Sequence, residues 1–145
     1  MAEDRFVAPF VLEYSYKRSL GPVLSSFMTG LTQGRIQGAK TRQGRVLVPP
    51  SEYDPQTGED TQGLVDVGPA GTVQSWTWVS EPRPDHPLDR PFAFALILLD
   101  GADTALTHAV DAPEQAMASG MRVQPRWRAE RVGHILDIEA FEPCP

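Results

Sequence analysis

Residues 91–100 read PFAFALILLD, from Pro91 to Asp100, an unbroken apolar run between a Pro-rich segment and an Asp-Gly pair. A strand with one face in water alternates, so a run apolar on both faces reads as a strand covered on both sides. Its length suits a strand better than a helix, and Asp100-Gly101 supplies the chemistry for a reversal into the next strand. Phe92, Phe94, Leu96 and Leu98 share one face, and Ala93, Ala95, Ile97 and Leu99 the other. A small barrel uses one such face as its core. The second must be covered by the chain's own N-terminal segment or by a partner.

The rest of the chain is turn-rich. Its 145 residues suit one domain or one domain with an appendage, and 14 prolines with 12 glycines favour β architecture over a helical bundle. A formal charge of −6 argues against a general nucleic-acid binder, which lives on phosphate neutralisation. The single cysteine, Cys144, excludes an intrachain disulfide and a thiolate metal cluster. The opening MAEDRF has no leader character and no apolar run reaches membrane-spanning length, so a soluble cytoplasmic protein is expected.

Residues 1–34 read as an N-terminal arm and helix. The arm holds Phe6, Phe10, Tyr14 and Tyr16 without a clear period, and two readings stand: it packs over its own domain, or it grips another subunit. Ser19 can cap a helix with Pro22 in its first turn. Val23, Phe27 and Leu31 then recur at helical spacing, flanked by Leu24 and Met28, and Gly34 marks the end. Residues 35–63 hold a hairpin, RIQGAK then RVLVPP, followed by the polar loop SEYDPQTGEDTQG. Residues 64–145 give strands at Leu64–Val67, Gly71–Val79, Phe92–Leu99 and Thr104–Val110. A short helical connection at Ala112–Ser119 follows, then strands at Gly120–Ala129 and Ile135–Phe141. In Gly71–Val79, Trp76 and Trp78 are expected on one face and Val73, Thr77 and Val79 on the other. After the short Leu64–Val67, three strands, a helical connection and two more strands is the order of a five-stranded Greek-key OB barrel.

The ordered segments FMTGLTQGRI, GRVLVPP, GPAGTVQSWTWV, PFAFALILLDGADTALTHAV and GMRVQPRW resemble the DUF35 family, a rubredoxin-like zinc ribbon followed by an OB-fold. The aromatic opening EYSYKRSLGPV is similar to the branch that accompanies lipid-transfer-protein-type thiolases and steroid side-chain aldolases. The resemblance implies a thiolase-fold partner acting on acyl-CoA. It also places the family's four zinc-ligand positions at Lys40, Gln43, Asp54 and Thr57, none a cysteine. A lysine and neutral polar groups cannot supply a zinc tetrahedron, so the hairpin is expected to be metal-free. Val46, Val48 and Tyr53 are expected to hold it, with a Lys40–Asp54 ion pair where the metal would lie.

Chemistry-bearing residues are sparse. His86, His108 and His134 are scattered, without metal-ligand spacing or a neighbouring nucleophile, and Asp100, Asp103 and Asp137 have turn or strand roles. No nucleophile elbow, P-loop or dinucleotide turn is present. On Gly120–Ala129, Arg122, Gln124, Arg126 and Arg128 share a face opposite Met121, Val123, Pro125 and Trp127. That face is either solvated, or it meets an acidic partner or the phosphates of coenzyme A. Lys40, Arg42 and Arg45 are further candidates for such phosphates, with Arg126 and Arg128.

The function expected is a non-catalytic accessory subunit of a thiolase-fold acyl-CoA enzyme, thiolase or retro-aldolase, with no cofactor of its own. Partner contacts are expected at Tyr14, Tyr16, Phe27, Met28 and Leu31. The alternative is a stand-alone OB module for acyl-CoA or single-stranded nucleic acid, with Trp76 and Trp78 as stacking platforms. Nothing in the sequence supports an enzyme in its own right.

Overall fold

The structure, a computed structural model, describes residues 6–145. The acidic start of MAEDRF therefore lies mostly outside the described residues. One helix, α1 (Gly21–Thr32), precedes eight strands: β1 (Ile36–Lys40), β2 (Val46–Leu47), β3 (Leu64–Val67), β4 (Gly71–Val79), β5 (Phe92–Leu99), β6 (Leu106–Val110), β7 (Arg122–Trp127) and β8 (Ile138–Pro143). The last five close into a barrel in the order β4-β5-β6-β8-β7, the OB topology expected. β3 completes a small sheet with the hairpin, in the order β2-β1-β3.

The apolar run is the centre of this barrel. β5 pairs with β4 along its whole length and with β6 from Ala93 to Ile97. Ala93, Ala95, Ile97 and Leu99 are all buried in the core with Val73, Val110, Val123 and Phe141. One assignment of faces is corrected. Register slips between Val73 and Ser75, leaving exposed Gln74 as an extra residue. A bulge of this kind inverts the alternation beyond it. Val73, Trp76 and Trp78 consequently all pack on the core, while Ser75 and Thr77 pair with Leu96 and Phe94 outside.

Other boundaries moved as well. Ile135–Asp137 is a 3-10 turn rather than the start of the last strand, and Glu114–Ala116 is a single 3-10 turn. At the helix N-terminus Leu20 occupies the cap position, and Ser19 Oγ accepts only from Gly21 N–H, at 3.3 Å. The C-terminus follows expectation. Gly34 has φ +70°, its N–H reaches Leu31 C=O, and Arg35 N–H reaches Gly30 C=O, both at 3.0 Å. This pair of bonds is a Schellman motif, and the left-handed φ is what requires glycine.

The helix does not cover the outer face of β5. It packs on β1 and on the Ile135–Asp137 turn, burying Phe27 and Leu31 in the barrel core. Residues 80–91, the Pro-rich connection, cover the first half of that outer face. Leu88 packs with Phe92, Ala109 and Ala140, and the His86 ring meets Phe92 and Phe94 edge-on at 5.7 and 5.8 Å. The second half, at Leu96, stays 41% exposed.

Candidate partner interface

The hairpin shows what stands at the four positions matched to zinc ligands. Turns at Thr41–Gly44 and Asp54–Gly58 face each other, closed by Gly44 N–H to Thr41 C=O and Gly58 N–H to Asp54 C=O. Asp54 is buried, accepts from Gln56 N–H at 2.9 Å, and lies 3.5 Å from Arg45. Arg42 and Gln43 both reach Glu59. Thr57 Oγ1 accepts from Glu59 N–H. The two turns are thus clasped by charge and hydrogen bonds, and a cation beside Asp54 would face the Arg45 guanidinium. This donor set does not fit zinc. Among the described residues, no group of three or more His, Cys, Asp or Glu is placed to hold a metal ion. The expected ion pair is corrected: Asp54 pairs with Arg45, while Lys40 is exposed and its backbone is spent on Gln62 and Gly63. Val48 is buried as expected, but the Tyr53 side chain is exposed and only its backbone joins the loop, in a bridge to Asp60.

The arginine face is largely committed to carboxylates. Arg122 makes two bonds to Asp100, at 2.6 and 2.7 Å, which hold that carboxyl below its usual range. Arg126 sits among Glu139 at 2.6 Å, Asp111 at 3.0 Å and Glu142 at 3.2 Å. The Glu139 bond above all, then those to Asp111 and Glu142, raises the Arg126 pKa despite partial burial. Arg90 also pairs with Asp111. Burial opposes the Asp111 charge, but both guanidiniums outweigh it and its carboxyl is lowered. Arg128 lies just past β7, exposed, at a cleft it shares with His134 and Asp137. The hairpin cations and the β7 cations belong to separate ion-pair networks.

The histidines have structural surroundings. His108 is buried, accepts from Ala109 N–H at 2.9 Å and meets the Phe141 ring at 5.4 Å; burial lowers its pKa. His86 Nδ1 accepts from Arg83 N–H, and His134 Nδ1 caps the Ile135 turn through Leu136 N–H. Asp137, assigned to a strand from the sequence, instead anchors that turn. It is 1% exposed and accepts from the N–H groups of Val132, Gly133 and His134. Burial opposes its charge, and the three N–H donors overcome it, leaving the carboxyl below its usual range. Only its place after Gly133-His134, a turn signal, hinted at this role.

Two apolar features remain open to solvent. The outer face of β4, β5 and β6 carries a shallow trough of about 270 Å³ lined by Ser75, Trp76, Thr77, Phe94, Leu96 and Thr107. The arm, residues 6–20, has no helix or strand and stands off its own domain, with Tyr14 76% and Tyr16 82% exposed. Phe6, Val7, Phe10, Val11 and Leu12 are exposed with them. The reading in which the arm packs over its own domain is thereby overturned. Of the five residues expected at a partner, Phe27 and Leu31 are corrected to core: they are 1% and 0% exposed within this chain. Met28 is half-buried against the same core.

Residues 64–128 match the family described as ChsH2, C-terminal OB-fold domain. The barrel is similar to that ChsH2 OB-fold domain, in agreement with the DUF35 resemblance read from the sequence. Two solved structures share the fold. A DUF35-family protein of unknown function from Sulfolobus solfataricus is 24% identical, with TM-score 0.59, over 72% of this chain and 78% of that one. The Ltp2-ChsH2(DUF35) aldolase is 19% identical, with TM-score 0.63, over 88% of this chain and 98% of its own. No protein of curated function matches. With the ChsH2-type barrel, the match starts at β3, so the hairpin and α1 lie outside it.

Proposed function

We propose that this chain is a non-catalytic accessory subunit of a thiolase-fold, lipid-transfer-protein-type enzyme acting on an acyl-CoA, a thiolase or a retro-aldolase. The observation that carries this reading is the uncovered apolar arm on an otherwise well-packed chain. Surface of that kind on a small domain marks an interaction site. The ChsH2-type barrel and a solved neighbour that is itself an aldolase assembly support the choice of partner. The complex works in the cytoplasm, with steroid side-chain breakdown as one setting, and the CoA thioester is its substrate. This chain stabilises the partner and completes part of the acyl-CoA site. Among the cations proposed for CoA phosphates, Arg42, Arg45 and Arg126 would have to leave a carboxylate, whereas Lys40 and Arg128 are exposed. Trp76 and Trp78 pack on the core, which disfavours base stacking and the nucleic-acid alternative.

Co-expression with a lipid-transfer-protein-type thiolase-fold protein, followed by size-exclusion chromatography with mass detection, tests the reading. A stable mixed complex is expected, with the partner insoluble or inactive when made alone. A chain that turns over a CoA thioester by itself, or ignores the partner, would overturn it.

A further inference from the structure

The arm has a period that its composition hides. From Phe6 to Tyr16 every even position is apolar: Phe6, Ala8, Phe10, Leu12, Tyr14 and Tyr16. The odd positions become polar from Glu13 onward, through Ser15 and Lys17. Residues 12–17 alternate as a strand lying on an apolar layer does, while residues 6–11 are apolar at both parities.

Backbone chemistry agrees with the side chains. In a strand, the N–H and C=O of one residue point to the same edge and those of the next to the opposite edge. The one residue here without an N–H is Pro9, at an odd position. The even edge therefore has a full set of donors and acceptors, and the proline falls on the other. A proline in a sheet is tolerated in this placement, on an outermost strand with its N side toward solvent.

Among the described residues no sheet edge pairs with the arm, and none offers a free edge of matching length outside the barrel. The barrel is closed. The free side of β2 is occupied, since Val46 N–H binds the Asp103 carboxylate at 2.8 Å and Val48 N–H binds Thr104 Oγ1 at 2.7 Å. β3 has four residues against the eleven from Phe6 to Tyr16.

We propose that the arm docks by strand addition, through its even-numbered backbone edge, onto an exposed sheet edge of the thiolase-fold partner, with its even side chains in apolar pockets there. This rests on the accessory-subunit reading above and names the contact by which the subunits join.

The test is a proline scan of affinity for the purified partner, by biolayer interferometry, each proline read against alanine at the same position. Leu12→Pro removes an even N–H and is expected to weaken binding roughly five-fold or more relative to Leu12→Ala. Val11→Pro removes an odd N–H and is expected to stay within about two-fold of Val11→Ala, the scale of a lost contact without a lost hydrogen bond. Both side chains are exposed, so melting temperature should not move in any variant. Equal effects of the two prolines, or full affinity after removal of residues 1–16, would overturn strand addition while leaving the complex intact. Absence of binding by the unaltered chain would overturn both readings. A chain that is a homodimer alone and a monomer without residues 1–16 would assign the arm to a second copy, and would overturn the choice of partner.

Discussion

Two apolar segments adjoin at the start of this chain and meet opposite fates. In α1, Phe27 and Leu31 recur at helical spacing, and both are sealed into the barrel core. In the arm just before it, aromatic residues of similar size stay in solvent. Total hydrophobicity does not separate the two. What separates them is whether the period of the segment matches a surface the chain itself offers. A helical stripe finds β1 and the Ile135–Asp137 turn to pack on. A strand-like stripe pairs with no strand among the described residues: the barrel is closed, and the small sheet offers only the four-residue β3 at its edge. The arm is left exposed to solvent.

The comparison can be broken most forcefully on the helix side. Phe27→Ala or Leu31→Ala should cost about 3–5 kcal/mol in chemical denaturation, the range for fully buried large-to-small changes. A loss below about 1 kcal/mol would show that α1 is not core. Asp137→Ala should cost about 2 kcal/mol by the same measurement, because three partly buried N–H groups lose their acceptor and α1 loses the turn it packs on. A smaller term comes from His108. Its folded-state pKa is depressed by burial, so the unfolded chain takes the proton more readily. The contribution is complete above about pH 6.5, the unfolded value, and is lost as pH falls from there toward the folded pKa. Denaturation midpoints at pH 7.5 and 5.5 should drop more in the unaltered protein than in His108→Gln. A drop of equal size in both would remove His108 from the account. The arm side is expected to give the smallest change. Phe10→Ala or Tyr14→Ala should leave the stability of the isolated chain within about 0.5 kcal/mol.

The sequence made the barrel legible because Phe92–Leu99 is apolar on both faces and turn residues punctuate the strands around it. The order of strands then allowed one closed topology. The direction of Val73 was not legible, since a bulge at Gln74 obeys cross-strand packing rather than any local signal. The cover over β5 was half legible. A second apolar layer was demanded, but the Pro-rich segment supplied it through Leu88 and His86, residues with no periodicity to announce them. Phe27 and Leu31 were assigned to a partner because an amphipathic helix carries no mark of whose core it completes. Asp137 was missed as an anchor because its ligands are backbone N–H groups, which every sequence contains. In the hairpin, a donor set unsuited to zinc could be read from Lys40, Gln43, Asp54 and Thr57. The clasp that replaces it, Arg45 on Asp54 and Arg42 on Glu59, depends on turn geometry.

The most direct measurement is residue-resolved amide hydrogen exchange on the isolated chain and on its complex with the proposed thiolase-fold partner. Amides of residues 6–16 should exchange at free-chain rates in isolation while those inside α1 are protected. In the complex, protection should appear at even-numbered arm positions. An arm already protected in the isolated chain would contradict the account, because this domain would then have covered its own apolar segment.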